Sequence, residues 1–375
     1  MKNRAAIIGA SYAGLSAAAA LRAKGWETIV VEKSTSLSRS GGGVVVQKQM
    51  ADYLEENGIA YPRITAVPAV MRMMYQRDGT VLHLPETAVA YTAWDILLKE
   101  IEQTVGSNRI RRGSECIRIE QDSRGAAIHL ADGSSIDADL IVAADGIGSP
   151  ARRFFLPDEQ PEYAGYVAWR GMVDEAEIPQ ETIDTCSGSL CSYVGDATNI
   201  LAYETPGSDG STVPGHRRIN WVWYRNVAPG GPLDELLTDA SGLRRSATVP
   251  RGLVPRRTES EIRLTAQELL PTPFSTVVEA TNEPFVQAIF DYQASRTVFD
   301  RAVLIGDAAC LVRPHIGSGT AKAVDDAIQL AHAVTGPDYR ERECLQSWQA
   351  RRRETHYGLM EQSKALARRM GLGVT

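Results

Sequence analysis

From Ala5 to Glu32 the hydrophobic pattern changes its period twice, and that succession admits few folds. Ala5-Ala6-Ile7-Ile8 is a short apolar run of buried-strand type, Gly9-Ala10-Ser11-Tyr12-Ala13-Gly14 is a turn, and an alanine-rich helix continues to Lys24-Gly25. Thr28-Ile29-Val30-Val31 is a second strand, closed by Glu32. Strand, turn, helix, strand and acid in this order make a dinucleotide-binding unit and predict an α/β fold with a Rossmann-like sheet. Gly9 permits the tight turn, Gly14 lets the helix pack close to the strand, and the helix N-terminus offers free amides to a pyrophosphate. Glu32 is placed to accept hydrogen bonds from a ribose diol. The middle glycine of the usual G-x-G-x-x-G is Ser11, which is small enough to leave room for phosphates. Tyr12 and Ala13 in the turn and Lys33 beside the acid complete the candidate set. An acid here repels a 2′-phosphate, so the site favours FAD or NAD over NADP.

Two further strand-to-loop junctions follow. Leu140 to Ala144 is an apolar strand leading into Asp145-Gly146 and then Ser149 and Arg152. Ala302 to Ile305 is another, leading into Gly306-Asp307, a loop held by Pro314, and a glycine-punctuated helix start at Gly317-Ser318-Gly319-Thr320. Ala321, Val324, Ile328 and Ala331 have helical spacing, with Ser318 or Thr320 as the expected cap. Ligands of open α/β sheets collect at such carboxyl ends of strands.

The 375 residues, 43% apolar and 23% charged, describe a globular protein of one large or two interleaved domains. A net charge of -6 gives no reason to expect nucleic acid or an acidic membrane as partner. The basic clusters Arg109–Arg112 and Arg351–Arg353 read as solvated faces. Five cysteines without metal spacing read as reduced thiols of a cytoplasmic protein. The apolar run Ala13 to Leu21 is too short to span a bilayer.

With all three junctions in view, the chain resembles the flavoprotein aromatic hydroxylases, the single-component FAD monooxygenases related to p-hydroxybenzoate hydroxylase. Gly9 to Gly14 with Glu32 matches their ADP-binding motif, Asp145-Gly146 their Asp-Gly motif, and Gly306-Asp307 their Gly-Asp motif. Ser11, the segment Tyr163 to Gly171, the segment Arg218 to Tyr224 and Arg313-Pro314-His315 are similar to the 2,6-dihydroxypyridine 3-hydroxylase branch. Near Tyr91 to Ile101 the family carries an arginine toward the flavin, and Trp94 stands there instead.

The resemblance implies an FAD-binding domain assembled from 1–68, 97–160 and 288–375, with a β-rich substrate domain inserted at 69–96 and 161–287. It implies reduction of FAD by NAD(P)H, addition of O2 to give a C4a-hydroperoxyflavin, and oxygen transfer to a small hydroxylated aromatic or heteroaromatic ring, with a hydroxypyridine first and a hydroxybenzoate-like phenol next. Asp145, Gly146 and Arg152 then meet the pyrophosphate or NAD(P)H, as Arg170 can, and Asp307 meets the sugar-like chain of FAD. Gly317 to Thr320 bear the anionic edge of the reduced flavin. Pro314 stiffens the loop at the flavin face, and His315 and Tyr224 are the candidates for a base or proton relay, with His216 third. Trp221 and Trp223 share one strand face that either lines the substrate cavity or packs in the core. A flavin oxidase or dehydrogenase, and a non-catalytic protein on the same fold, are the competing readings. The choice between NADH and NADPH and the assembly, monomer or homodimer, stay open.

Overall fold

The computed structural model describes residues 3–35, 41–56, 58, 65–78, 80–122, 125–335 and 342–373. Its first sheet has six strands in the order Val298–Phe299, Ala302–Leu304, Leu140–Ala143, Arg4–Ile8, Glu27–Glu32 and Ile110–Arg112. All neighbours are parallel except the first pair. Parallel pairing demands crossovers, and helix Tyr12–Ala23 supplies the one between Arg4–Ile8 and Glu27–Glu32. Such strands are covered on both faces, which is why they read as unbroken apolar runs. Ala5, Ile7, Leu140 and Val142 pack on a helical layer that includes Tyr12–Ala23, Trp94–Val105 and Gly319–Ala333. Their alternates Ala6, Ile8, Ile141 and Ala143 pack on a three-stranded sheet of Cys116–Gln121, Ala126–Leu130 and Ser135–Ala138.

The second, larger sheet runs in the order Thr248–Val249, Phe285–Gln293, Glu162–Asp174, Arg218–Asn226, Thr198–Thr205, Ser189–Gly195, Val67–Tyr75, Val81–Ala93 and Gly43–Val46, with Cys310–Leu311 beside Phe285–Gln293. Most of these strands fall in the segments expected for the inserted domain. Gly43–Val46 and Cys310–Leu311, from segments expected in the FAD domain, pair into the same sheet, and Phe285–Gln293 runs across the expected boundary at 287. One face of this sheet lies under helices Arg256–Leu269 and Thr272–Ala280, where Trp169, Trp221 and Trp223 form a buried core with Ile262, Phe274 and Val277. The other face is turned to the cavity described below.

The segment Arg218 to Tyr224 lies in the strand Arg218–Asn226, and a long C-terminal helix occupies Arg342–Arg369. Pro314 begins a single 3-10 turn, Pro314–Ile316, within what reads as extended loop. The five cysteines are free. Among the described residues, no helix is long and apolar enough to cross a membrane.

Two glycines lock the junctions together. Gly9 has φ +103°, and a Cβ there would stand 2.4 Å from the carbonyl oxygen of Ala144. Gly306 has φ +62°, and its Cβ would stand 2.7 Å from that of Ala13. Both demand a residue without a side chain. Gly14 is restricted by space alone, since a Cβ would meet the Gly9 carbonyl oxygen at 1.9 Å. Gly14→Ala should therefore cost about 1 to 3 kcal/mol or more in urea unfolding. Gly358, which faces open space within the long C-terminal helix, is the contrast. Gly358→Ala should stabilise by roughly 0.5 to 1 kcal/mol in the same measurement.

Candidate active site

A cavity of about 300 Å³ opens at the carboxyl ends of Arg4–Ile8 and Glu27–Glu32, lined by Gly9, Ser11, Glu32, Lys33, Asp145 and Gly146 among others. Glu32 is held from both sides: Ala10 N donates to its Oε2 at 2.9 Å and Ser34 N to its Oε1 at 2.8 Å. Each carboxylate oxygen keeps a lone pair for a further donor, as a ribose diol would supply. Ser11 stands at the N-cap of helix Tyr12–Ala23 without making a side-chain cap, so the first amides of that helix are left for a ligand.

Asp145 looks inward. Its Oδ1 accepts from Ser149 Oγ and its Oδ2 from Ala151 N at 3.0 Å, which anchors the short helix Pro150–Phe155. Burial raises its carboxyl pKa, opposed by those two hydrogen bonds. Arg152 is a correction to the expected set. It is buried, lines neither cavity, lies over the ring of Tyr292 at 4.6 Å, and donates to the carbonyl oxygens of Ile147, Asp307 and Ala308. Those carbonyls draw the guanidinium into the wall behind the Gly306-Asp307 turn, where it fastens the second junction to the third.

A larger cavity of about 430 Å³ continues from the first, and Ser11, Trp94, Ala144 and Gly146 line both. Tyr12, Ala13, Asp307, Pro314, His315, Gly317, Gly319 and Thr320 face it. Trp94 takes the place where the family carries an arginine. It meets Tyr12 edge to face at 5.7 Å, and its carbonyl accepts from Tyr12 Oη at 2.8 Å. Gly317, at φ +61°, turns the chain into helix Gly319–Ala333, whose start carries no side-chain cap. Ser318 is thus corrected twice. Its hydroxyl donates to the Ile316 carbonyl and accepts from Gln47 Nε2, both at 3.1 Å, and it lines a separate cleft behind the helix.

Asp307 keeps 53% of its side chain open toward the cavity, yet the enclosing walls raise its pKa, with Lys322 opposing at 3.9 Å. The Lys322 ammonium is fully buried, donates to the Gly306 carbonyl at 2.9 Å and lies 3.8 Å from Asp326. Asp326 in turn accepts from Gly306 N at 3.0 Å and lies 2.8 Å from His356 Nε2. Sequence reasoning missed this network. Its trace was a lysine and an aspartate four apart beside the apolar positions Ala323 and Ala327, where a solvent face should not be.

The sheet supplies the cavity's other wall. Tyr224 faces it, with Val222, whereas Trp221 and Trp223 point the opposite way and donate to Thr281 and Thr198 at 2.8 and 2.6 Å. The tryptophan face is therefore core. The Tyr224 ring lies 4.2 Å from that of His315. His315 Nε2 is 2.8 Å from the hydroxyl of Tyr166, a residue not singled out from sequence, and its Nδ1 has no hydrogen-bond partner among the described residues. Burial, then Arg313 and Arg170, push the His315 pKa down to about 3, and burial pushes that of Tyr224 up to about 12. His216 is exposed and lines neither cavity. Arg170 lines the larger cavity and not the smaller one, away from any expected pyrophosphate.

A family described as FAD binding domain matches residues 2–188, and one described as FAD binding domain-like matches 163–291. The chain is 32% identical over 372 residues to the 2,6-dihydroxypyridine 3-monooxygenase of Paenarthrobacter nicotinovorans, covering 99% of its own length and 92% of the relative's. It belongs to the flavoprotein aromatic hydroxylases. The solved 2,6-dihydroxypyridine-3-hydroxylase from Arthrobacter nicotinovorans matches this hydroxylase with a TM-score of 0.92 at 31% identity, covering 99% of this chain and 93% of that one. HpxO of Klebsiella pneumoniae, solved with FAD and uric acid, has the same fold at a TM-score of 0.74 and 23% identity, covering 97% and 87%.

The hydroxylase's cofactor is FAD, and the joined cavities fit it. Two uncapped helix starts and the clamped Glu32 meet one continuous slot. Asp307→Ala should lower FAD affinity by about tenfold or more, the loss of a charge-assisted hydrogen bond. Lys322→Met should also weaken FAD, and it should destabilise the apoprotein by about 1 to 3 kcal/mol because it removes one of the cations around buried Asp326 and leaves the Gly306 carbonyl without its donor. Visible flavin absorbance per protein and thermal unfolding separate the two effects.

Proposed function

We propose that the hydroxylase uses NAD(P)H and O2 to hydroxylate a small hydroxylated heteroaromatic ring, with a hydroxypyridine as the first choice. The observation that carries this reading is the wall of the larger cavity, where Tyr224 and His315 meet close to the Gly317 to Thr320 helix start, with the buried Tyr166 hydroxyl on His315 behind them. The names of the relatives add weight: besides the 2,6-dihydroxypyridine enzyme, the 6-hydroxynicotinate 3-monooxygenase of Bordetella bronchiseptica is 24% identical over 350 residues, covering 88% of this chain and 82% of its own.

When bound, FAD supplies electron transfer from the nicotinamide and activation of O2 toward the ring. The rest falls to the chain. Glu32 and the amides after Ser11 hold the adenosine and pyrophosphate end, and Lys33, Asp145 and Gly146 flank it. Asp307 holds the sugar-like chain, and the amides at Gly317 to Thr320 stabilise negative charge at the ring edge. Pro314 holds Arg313 extended, at φ -65° and ψ 141°, so the loop carrying His315 has little freedom to admit water. Tyr224 stays a neutral phenol and donates to a ring oxygen. His315 stays a neutral imidazole and offers Nδ1 to the substrate. A base with a pKa of about 3 passes a proton on but does not keep it.

Oxidation of NADH and of NADPH by the holoenzyme, measured across hydroxypyridines and phenols with product detection, tests the reading. A hydroxypyridine should both stimulate oxidation and gain one oxygen atom, and failure of every ring compound to gain oxygen would refute it. The histidine adds a pH signature. Between its ordinary 6.5 and about 3, the unfolded chain binds a proton that the folded site refuses, so stability falls as the pH drops through this window. His315→Asn should lose part of that fall, seen as a flatter Tm between pH 6.5 and 4 than in the unaltered enzyme.

A further inference from the structure

Strand Glu162–Asp174 sends alternate residues to opposite faces. Val167 and Trp169 enter the tryptophan core, so Arg170 projects to the cavity side with Tyr166 and Ala168. The register then builds two rows on that side. Arg170 pairs with Val222, which pairs with Leu201, and Ala168 lies between Tyr224 and Gln287. Arg170 thus sits one row from Tyr224, with the neutral side chains of Val222, Leu201, Ala168 and Gln287 around it.

Several arginines of the chain are paired with acids, Arg313 with Asp291, Arg218 with Asp95, Arg217 with Glu204 and Arg112 with Glu102, while buried Arg152 is satisfied by three carbonyl oxygens. Arg170 has none among the described residues, and its Nε is buried without a hydrogen-bond partner. Asp307 on the same cavity has Lys322 as its cation, and Arg72, the second arginine on the cavity, already has a partner in the chain. Tyr224 is a phenol on the strand beside Arg170, Tyr91 and Tyr203 are phenols further along the sheet on the same cavity, and His315 is neutral on the loop that also lines it. The charge of Arg170 reaches Tyr203, Tyr224 and His315, lowering the pKa of each. A guanidinium on the cavity wall without a counter-ion among the described residues is complemented by an anion that arrives from outside.

We propose that Arg170 is the residue that binds the ring substrate as an anion, its guanidinium pairing with a deprotonated ring hydroxyl. On binding, the ring O–H bond breaks, its electron pair stays on the oxygen beside Arg170, and the proton leaves to solvent, because Tyr224 already carries its own proton and neutral His315 does not keep an added one. Binding therefore tightens as pH rises toward the pKa of the free ligand, and the hydroxylase prefers acidic ring hydroxyls over neutral rings of the same size. This rests on the proposed substrate class for its biological meaning, but the charge preference is measurable without turnover.

The test uses FAD-loaded enzyme without NAD(P)H and two probes, 2,6-dihydroxypyridine and 4-nitrophenol, whose phenolate is visible by difference absorbance. The unaltered enzyme should bind 4-nitrophenol as phenolate with its apparent pKa lowered by about one unit or more. Arg170→Met should bind phenolate at least about tenfold more weakly and leave the bound probe protonated, and Arg170→Lys should recover the anionic form in part. Both variants are compared at equal FAD content and equal Tm, so loss of fold is not mistaken for loss of charge. A probe bound in its protonated form by the unaltered enzyme, equal phenolate affinity in Arg170→Met, or no binding of either probe would each overturn the proposal. A panel without ring hydroxylation, with the phenolate preference intact, would instead sink only the proposed reaction.

Discussion

The carboxylate of Asp326 is the point on which the active-site side of the molecule hangs. It is fully buried, and burial alone would raise its pKa, yet His356, Lys322 and Arg352 outweigh that cost and hold it down at about 2. Through it, helix Gly319–Ala333, the Gly306 turn and the C-terminal helix Arg342–Arg369 are tied at one atom pair. A buried carboxylate with several cations is costly to assemble and costlier to break, so its members stand or fall together. What this rigidity holds in place is the turn carrying Asp307 and the helix start facing the cavity.

The two ends of the joined cavity then differ in electrostatic character. In the smaller cavity the carboxylate of Glu32 is held by two backbone amides with lone pairs left for hydroxyl donors. In the larger one the charged groups are Arg170, Arg72 and Asp307, a helix start offers backbone amides, and burial disfavours charge on His315 and Tyr224. A slot arranged this way accepts sugar hydroxyls at one end and negative charge at the other. The same low dielectric that strips His315 of its charge strengthens the pairing of Arg170 with an anion.

The three junctions were legible because each is local: a strand, a glycine or acid, and a helix start within a short stretch of chain. Their meeting was legible too, since parallel strands bring their carboxyl ends to one edge. The network around Asp326 was not. Arg351–Arg353 reads as a charged surface, but the helical period sends Arg352 and His356 to one inward side, where Arg352 is only 5% exposed and lies on Asp325 and Asp326. The partners sit about thirty residues away in sequence, and no local pattern announces them. The same holds for strand Arg218–Asn226, whose alternation showed two faces without showing which was wet. Helices Arg256–Leu269 and Thr272–Ala280 decide it by covering the tryptophans, which leaves Val222 and Tyr224 to the cavity. The parity that turns Trp169 inward turns Arg170 outward, so its role depended on the same unseen cover.

The end of the chain closes the argument spatially. Tyr166 is wholly buried in a cluster with Tyr224, Ala367 and Leu372, and Arg313 lies over its ring at 5.5 Å while paired with Asp291. Asn226, two residues past Tyr224, donates to the Gly371 carbonyl and accepts from Gly373 N, both at 3.0 Å. The dry wall behind His315 is therefore built by the last described residues. Docking the C-terminal helix does two jobs at once: His356 and Arg352 neutralise Asp326 on one side, and about three turns of helix beyond His356 the segment from Ala367 seals Tyr166 on the other. Because one rigid helix carries both contacts, charge compensation at the cofactor turn and exclusion of water from the ring are coupled, and neither is complete in a chain whose last helix is undocked.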